Sequence, residues 1–146
     1  MYTILVLHGP NLNLLGQRDP SIYGADTLED INAYIINSHR NDTFDFFQSN
    51  HEGAIIDKIH QAMAAYDAII INPGAYAHYS YAIRDAIEAC PIPVIEVHLS
   101  NIAAREKFRQ TSVTAEVCVQ VISGFGKESY IRAVEFLRKR LGPEKD

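Results

Sequence analysis

Asn11, Asn72, His78 and His98 each stand at the end of, or just beyond, an apolar run of this sequence. Amides and imidazoles in such places suit hydrogen bonding to a polar ligand and proton transfer. Glu96 stands two residues before His98, so on a strand the two share one face and the carboxylate can hold the imidazole. Arg18 and Tyr23 lie five residues apart in a long glycine- and proline-bearing segment able to fold over a site as a lid. Arg105 and Arg109, at i and i+4, fall on one face if the segment after residue 98 is helical, and either can clamp a carboxylate. Each feature has a plainer reading. Tyr23 can pack beside Gly24, the arginines can form a solvated face paired with Glu106, and any βα turn needs Gly, Pro and Asn.

The elements that must position these residues follow from hydrophobic periodicity. Apolar, β-branched runs at 2–8, 43–48, 68–72, 93–98 and 117–122 predict five strands. Between them, stripes of helical period predict helices. The first is capped by Thr27 and carries Leu28, Ile31 and Ile35. Ile56, Ile59 and Met63 mark the next, and Ile83, Ala86, Ile87 and Cys90 a third. The last runs through Tyr130, Val134, Leu137 and Leu141 to a stop at Gly142 and Pro143, with the charged residues 138–146 expected to fray. Five βα units in succession imply one α/β domain over residues 1–146. The expected form is a flavodoxin-like three-layer sandwich with a five-stranded parallel sheet. In such sheets ligands bind beyond the carboxyl ends of the strands, where Asn11, Asn72, His78 and His98 collect.

The whole chain narrows the options further. Its 146 residues are 47% hydrophobic and carry a net charge of -5, which suits an ordinary folded core and disfavours a nucleic-acid partner. No run approaches a membrane span and the start lacks the basic residues of a secretory signal, so no membrane partner and a cytoplasmic location are expected. Cys90 and Cys118 lack metal or redox spacing and are expected to be buried, reduced thiols. The glycines of residues 9–16 match neither a dinucleotide fingerprint nor a P-loop. His8 and Asn72 replace the acidic residues that a receiver domain needs, and no histidine or cysteine cluster completes a metal site. No cofactor and no metal are expected.

Taken together, the residues resemble the type II 3-dehydroquinate dehydratases. The likeness is carried by Gly9-Pro10-Asn11-Leu12-Asn13, Gly16, Arg18-Asp19-Pro20 and Tyr23-Gly24 in the first loop. It continues through Gln48-Ser49-Asn50, Glu52-Gly53, Asn72-Pro73, His78, Ser80 and Ala82-Ile83-Arg84-Asp85-Ala86. Glu96-Val97-His98-Leu99-Ser100-Asn101, Arg105 and Arg109 complete it. The chain departs at Ala77 and Tyr79, where the family has threonines, a change that bears on the pocket wall. Asp19 stands for a more usual glutamate.

The resemblance implies dehydration of 3-dehydroquinate to 3-dehydroshikimate through an enolate, the third step of the shikimate route to chorismate and aromatic amino acids. It assigns Tyr23 as general base, Arg18 as its electrostatic partner, Asn11 as the holder of a water against the enolate, and His98 as acid. Asn72, His78, Asp85, Leu99, Ser100 and Arg109 would hold the substrate, with Glu96 and Arg105 in support. It further implies a homododecamer built from trimers, in which Asp85 serves a neighbouring subunit. Residue chemistry suits this lyase: a base, a cationic environment, an acid and an anion clamp support an enolate without an electron sink. The lysine Schiff-base route has weak support, since only Lys127 stands near a strand-end loop. A flavodoxin-like binding module without catalysis is the alternative. It explains the fold but leaves Tyr23, Arg18 and His98 without a purpose.

Overall fold

Aliphatic runs in the three central strands, flanked by one strand on either side, place apolar side chains on both faces of one sheet. In the computed structural model, which describes residues 1–143, the strands are β1 (Thr3–His8), β2 (Thr43–Gln48), β3 (Ala68–Asn72), β4 (Val94–His98) and β5 (Gln120–Ser123). All pairings are parallel, in the order β2-β1-β3-β4-β5 of flavodoxin-like folds. The helices are α1 (Pro20–Tyr23), α2 (Leu28–Ser38), α3 (Glu52–Ala62), α4 (Tyr81–Ala89) and α5 (Glu128–Leu141).

The strand period sorts the core into two layers. Ile4, Val6, Ile70, Ile95 and Val97 pack against α2 through Ile31 and Ile35, and against α5 through Tyr130, Val134 and Leu137. Leu5, Leu7, Ile69, Ile71 and Val94 take the other face with Ile55 and Ile59 of α3 and Ile83 and Ile87 of α4. Full burial of each such side chain contributes about 1.5–3 kcal/mol. Thr27 caps α2 in a capping box with Asp30, fixing where that helix begins.

The structure differs in detail from the sequence-based expectation. No α-helix follows β4; residues 99–119 run instead through 3-10 turns at Ile102–Ala104, Lys107–Gln110 and Ala115–Val117. None of these turns buries a residue, and without an apolar face to cover, nothing holds a continuous helix there. β5 begins at Gln120, not at residue 117, because Val117 closes the last of those turns and pairing with β4 starts at Ile95↔Gln120. In α3, Ile55 and Ile59 are the buried isoleucines, while Ile56 and Met63 pack at the margin. Finally, residues 138–141 do not fray. They form the last turn of α5, where Arg138 Nη1 donates to both oxygens of buried Asp42 at 2.7 and 2.6 Å. The rest of the segment expected to fray, 144–146, lies outside the described residues. Cys90 and Cys118 are free and only partly buried.

Candidate active site

A cleft of about 570 Å³, counting its open mouth, lies at the carboxyl ends of β1, β3 and β4. Its floor depends on a close backbone approach. Gly9 N–H donates to Asn72 O at 2.7 Å, and a Cβ on Gly9 would sit 2.6 Å from the Pro73 carbonyl, so only glycine fits. Asn11 then turns through a left-handed conformation (φ 67°), the sole non-glycine among the described residues to do so. Asn50 Oδ1 holds that turn by accepting the Asn11 N–H at 3.0 Å. Asn72, 4% exposed, accepts the Gly74 N–H on Oδ1 at 3.1 Å.

The long segment after β1 contains α1, which the expected lid did not specify. Asp19 caps this turn, accepting from Ser21 N and Oγ at 2.9 and 2.7 Å, and Pro20 occupies its first position. The Ser21 hydroxyl and N–H hold the Asp19 carboxyl below the usual carboxylate range. α1 delivers Tyr23 to the cleft beside Arg18, whose Nη2 donates to the phenol oxygen at 2.7 Å. Arg105 Nη2 donates to the same oxygen at 2.9 Å. Two guanidinium groups directed at one phenol oxygen are what a phenolate needs for stabilisation.

Across the lining, His98 is 5% exposed and donates from Nε2 to Glu96 Oε2 at 2.7 Å. Glu96 is wholly buried in a position that strand alternation would otherwise give to an apolar residue. Ser112 Oγ donates to Oε2 at 2.6 Å and Thr114 Oγ1 to Oε1. Burial, with the Glu96 charge second, pushes the nearby Cys118 thiol up.

The remaining wall is suited to anions and hydroxyls. Arg109 lines it with its Nε 2.7 Å from Glu106 Oε2, so the expected pairing with Glu106 is present in a residue that also lines the cleft. Its own backbone N–H first, and then Arg109 and Arg105, hold the Glu106 carboxyl below the usual range. Arg105 also donates to Ser100 Oγ at 3.2 Å, and His78 Nδ1 donates to Thr111 O at 2.8 Å.

Asn11, Arg18, Tyr23, Asn72, His78, His98, Leu99, Ser100, Arg105 and Arg109 therefore meet in one cleft. The arginines do so without a shared helix: Arg105 has extended backbone between two 3-10 turns. Glu96 lies beneath the lining, and Asp85 is exposed on α4, away from it. Ala77 is fully buried and Tyr79 is 60% exposed, so neither forms the cleft wall that their substitution suggested. The sequence reading missed Ser112 and Thr114, which lie in a segment with no periodicity to mark their direction. None of the described lysines lines the cleft.

Behind the cleft, His8 is 1% exposed. Its Nε2 donates to Asn32 Oδ1 at 2.8 Å, leaving Nδ1 to accept from Tyr130 Oη at 3.2 Å. Burial, partly offset by the Asn32 bond, lowers its pKa to about 4. Burial pushes the Tyr130 hydroxyl up, opposed by a bond from Asn72, so this chain of polar groups reaches the cleft.

The sequence matches the family Dehydroquinase class II over residues 2–138. It is 57% identical to the 3-dehydroquinate dehydratase of Clostridium botulinum (strain Kyoto / Type A2), covering 99% of this chain and 100% of that one. Identity to the 3-dehydroquinate dehydratase of Caldicellulosiruptor bescii is 58%, over 97% of this chain and 99% of that one. The fold superposes on the type II dehydroquinase of Butyrivibrio crossotus with a TM-score of 0.91 and 50% identity, covering 93% of this chain and 97% of that one. For the enzyme of Propionibacterium acnes the TM-score is 0.90 and the identity 42%, over 94% and 96% of the two chains.

Proposed function

The chain belongs to the class II dehydroquinases, and from that premise we propose how its residues divide the chemistry. Its activity is that of a 3-dehydroquinate dehydratase of the shikimate pathway, a lyase that removes water from 3-dehydroquinate. In our reading Tyr23, as phenolate, takes the proton α to the ketone. The electron pair moves onto the carbonyl oxygen as an enolate, which a water held by Asn11 stabilises by hydrogen bonding. Collapse of the enolate breaks the bond to the β-hydroxyl, which leaves as water with a proton from His98 Nδ1. The proton on Tyr23 returns to His98 through water, so the net reaction is substrate to enone plus water. Glu96 supports the imidazolium. Asn72, His78, Leu99, Ser100 and Arg109 hold the hydroxyls and carboxylate.

The observation that carries this reading is the pair of guanidinium groups on the Tyr23 oxygen in the same cleft as the Glu96-supported His98. The absence of any described lysine from the lining favours the enolate over a Schiff base. Turnover of 3-dehydroquinate by wild type and Tyr23→Phe, followed by the absorbance of the enone product, tests it. Full turnover by the phenylalanine variant would overturn the assignment.

We further infer that residues 1–146 form one catalytic domain, that it acts in the cytoplasm, and that it assembles as a homododecamer built from trimers. Asp85, exposed on α4 and outside its own cleft, supports a role in a neighbour's site. Among the described residues no helix is long and apolar enough to cross a membrane.

A further inference from the structure

We propose that Ser112 and Thr114 are positioning residues of this reaction. Their hydroxyl protons hold Glu96 as a pure acceptor, which keeps one hydrogen on His98 Nε2 in both the charged and the neutral ring, so that Nδ1 is the nitrogen that gives up its proton to the leaving group and regains it. The proposal rests on the reading of His98 as proton donor.

Glu96 is fully buried, and its partners among the described residues are His98, Ser112 and Thr114, with no lysine or arginine in contact. A buried carboxylate with so few partners depends on the direction of each proton. The Ser112 proton has little freedom. Ala115 N–H donates to Ser112 Oγ at 3.1 Å, and of the two acceptors within reach of the Ser112 hydrogen, Thr114 Oγ1 at 3.2 Å and the Glu96 carboxylate at 2.6 Å, the closer and charged one takes it. Thr114, also fully buried, supplies Oε1. Between them the backbone is pinned, because Val113 N–H donates to Ala77 O at 2.8 Å in the turn that carries His78. The two hydroxyls thus come from a fixed segment, and neither residue lines the cleft. With both oxygens supplied, Glu96 is oriented to receive the Nε2–H of His98 at 2.7 Å. No protein group among the described residues meets Nδ1, and His98 lines the cleft.

Without the Thr114 hydroxyl Glu96 Oε1 is buried and unsatisfied, and without that of Ser112 its Oε2 keeps His98 alone; in either case the carboxylate is free to turn. His98 then loses the acceptor that selects its tautomer, and a fraction of the imidazole carries its hydrogen on Nδ1 in the neutral state.

The test uses the full-length protein labelled with 15N-histidine, in wild type, Thr114→Val, Ser112→Ala and Thr114→Ser, with His98→Gln to assign the resonance. Wild type at pH 8 should show His98 as a single Nε2–H tautomer. Thr114→Val, close in shape to threonine, should show a mixture, with kcat for 3-dehydroquinate reduced about 10-fold and KM nearly unchanged. Thr114→Ser should restore both. Ser112→Ala gives the same readout should the valine variant not fold. A wild-type tautomer in the variant lacking the hydroxyl overturns the proposal, as does lost kcat without a tautomer change or a tautomer change without lost kcat. Undiminished kcat in His98→Ala would instead sink the reading of His98 as the acid, whatever the spectra show.

Discussion

Arg105 reaches Tyr23 across 82 residues of sequence, and its Nη2 donates to the phenol oxygen at 2.9 Å. The same guanidinium spans to Ser100 Oγ through Nη1, so it ties the loop after β4 to the segment carrying α1. Arg18 completes the arrangement, its Nη2 donating to the same oxygen at 2.7 Å and its Cζ lying 3.8 Å from the centre of the Tyr23 ring. Loss of either cation should therefore reduce kcat, by about 10²-fold each, the usual worth of one donor at a site of developing charge. Arg18→Gln, Arg105→Gln and the double variant, assayed for enone formation, check this. Strictly additive losses in the double variant would mean that the two arginines do not share one oxygen in function.

His98→Ala should cut kcat by ~10²–10⁴, the worth of a positioned proton donor. Steady-state kinetics separate the possibilities. A rise in KM with kcat intact would make His98 a binding group.

Asp85→Ala should raise KM about 10-fold, the loss of one charge-assisted hydrogen bond, with the oligomer intact. Asp85 is exposed on α4 and outside its own cleft, so on the proposed shared site the effect should depend on assembly. Activity measured on dilution, with the species present followed by light scattering, should fall as the oligomer dissociates. A fully active monomer would refute the shared site.

Acid should destabilise the fold through His8. Its pKa is lowered from 6.5 to about 4 by burial, so between those values the unfolded chain binds a proton that the folded chain refuses. Stability then rises with pH across that window and is lost as pH falls through it. For one group, the loss amounts to about 3 kcal/mol. Denaturant unfolding at pH 7 and pH 4.5 measures it, and in His8→Gln this part of the loss should vanish. An equal pH dependence in the variant would place the acid sensitivity elsewhere.

Short-range relations were legible before any fold was known. Alternation along β1, β3 and β4 sorts Ile4, Ile70 and Ile95 from Leu5, Ile69 and Val94, and so sets both layers of the core. The same period places Glu96 and His98 on one face of β4, where they meet. Arg18 and Tyr23 are close enough in sequence for one turn to join them. Periodicity failed where buried residues are scattered and do not line up on one helical face. Residues 99–119 fold as 3-10 turns, so the i and i+4 spacing of Arg105 and Arg109 conveyed nothing true about their geometry, although both reach the cleft.

What the sequence determined by itself is the five strands, the four longer helices and the reactive groups at their ends, because a period of 2 or 3.6 residues converts composition into direction. The tertiary structure alone decided that Arg105 meets Tyr23, that Ser112 and Thr114 close over Glu96, and that Arg138 belongs to a helix anchored on Asp42. These contacts join distant segments, three of them through loops without periodicity. There the direction of a side chain is set by packing and by which buried polar groups need partners, not by the spacing of residues.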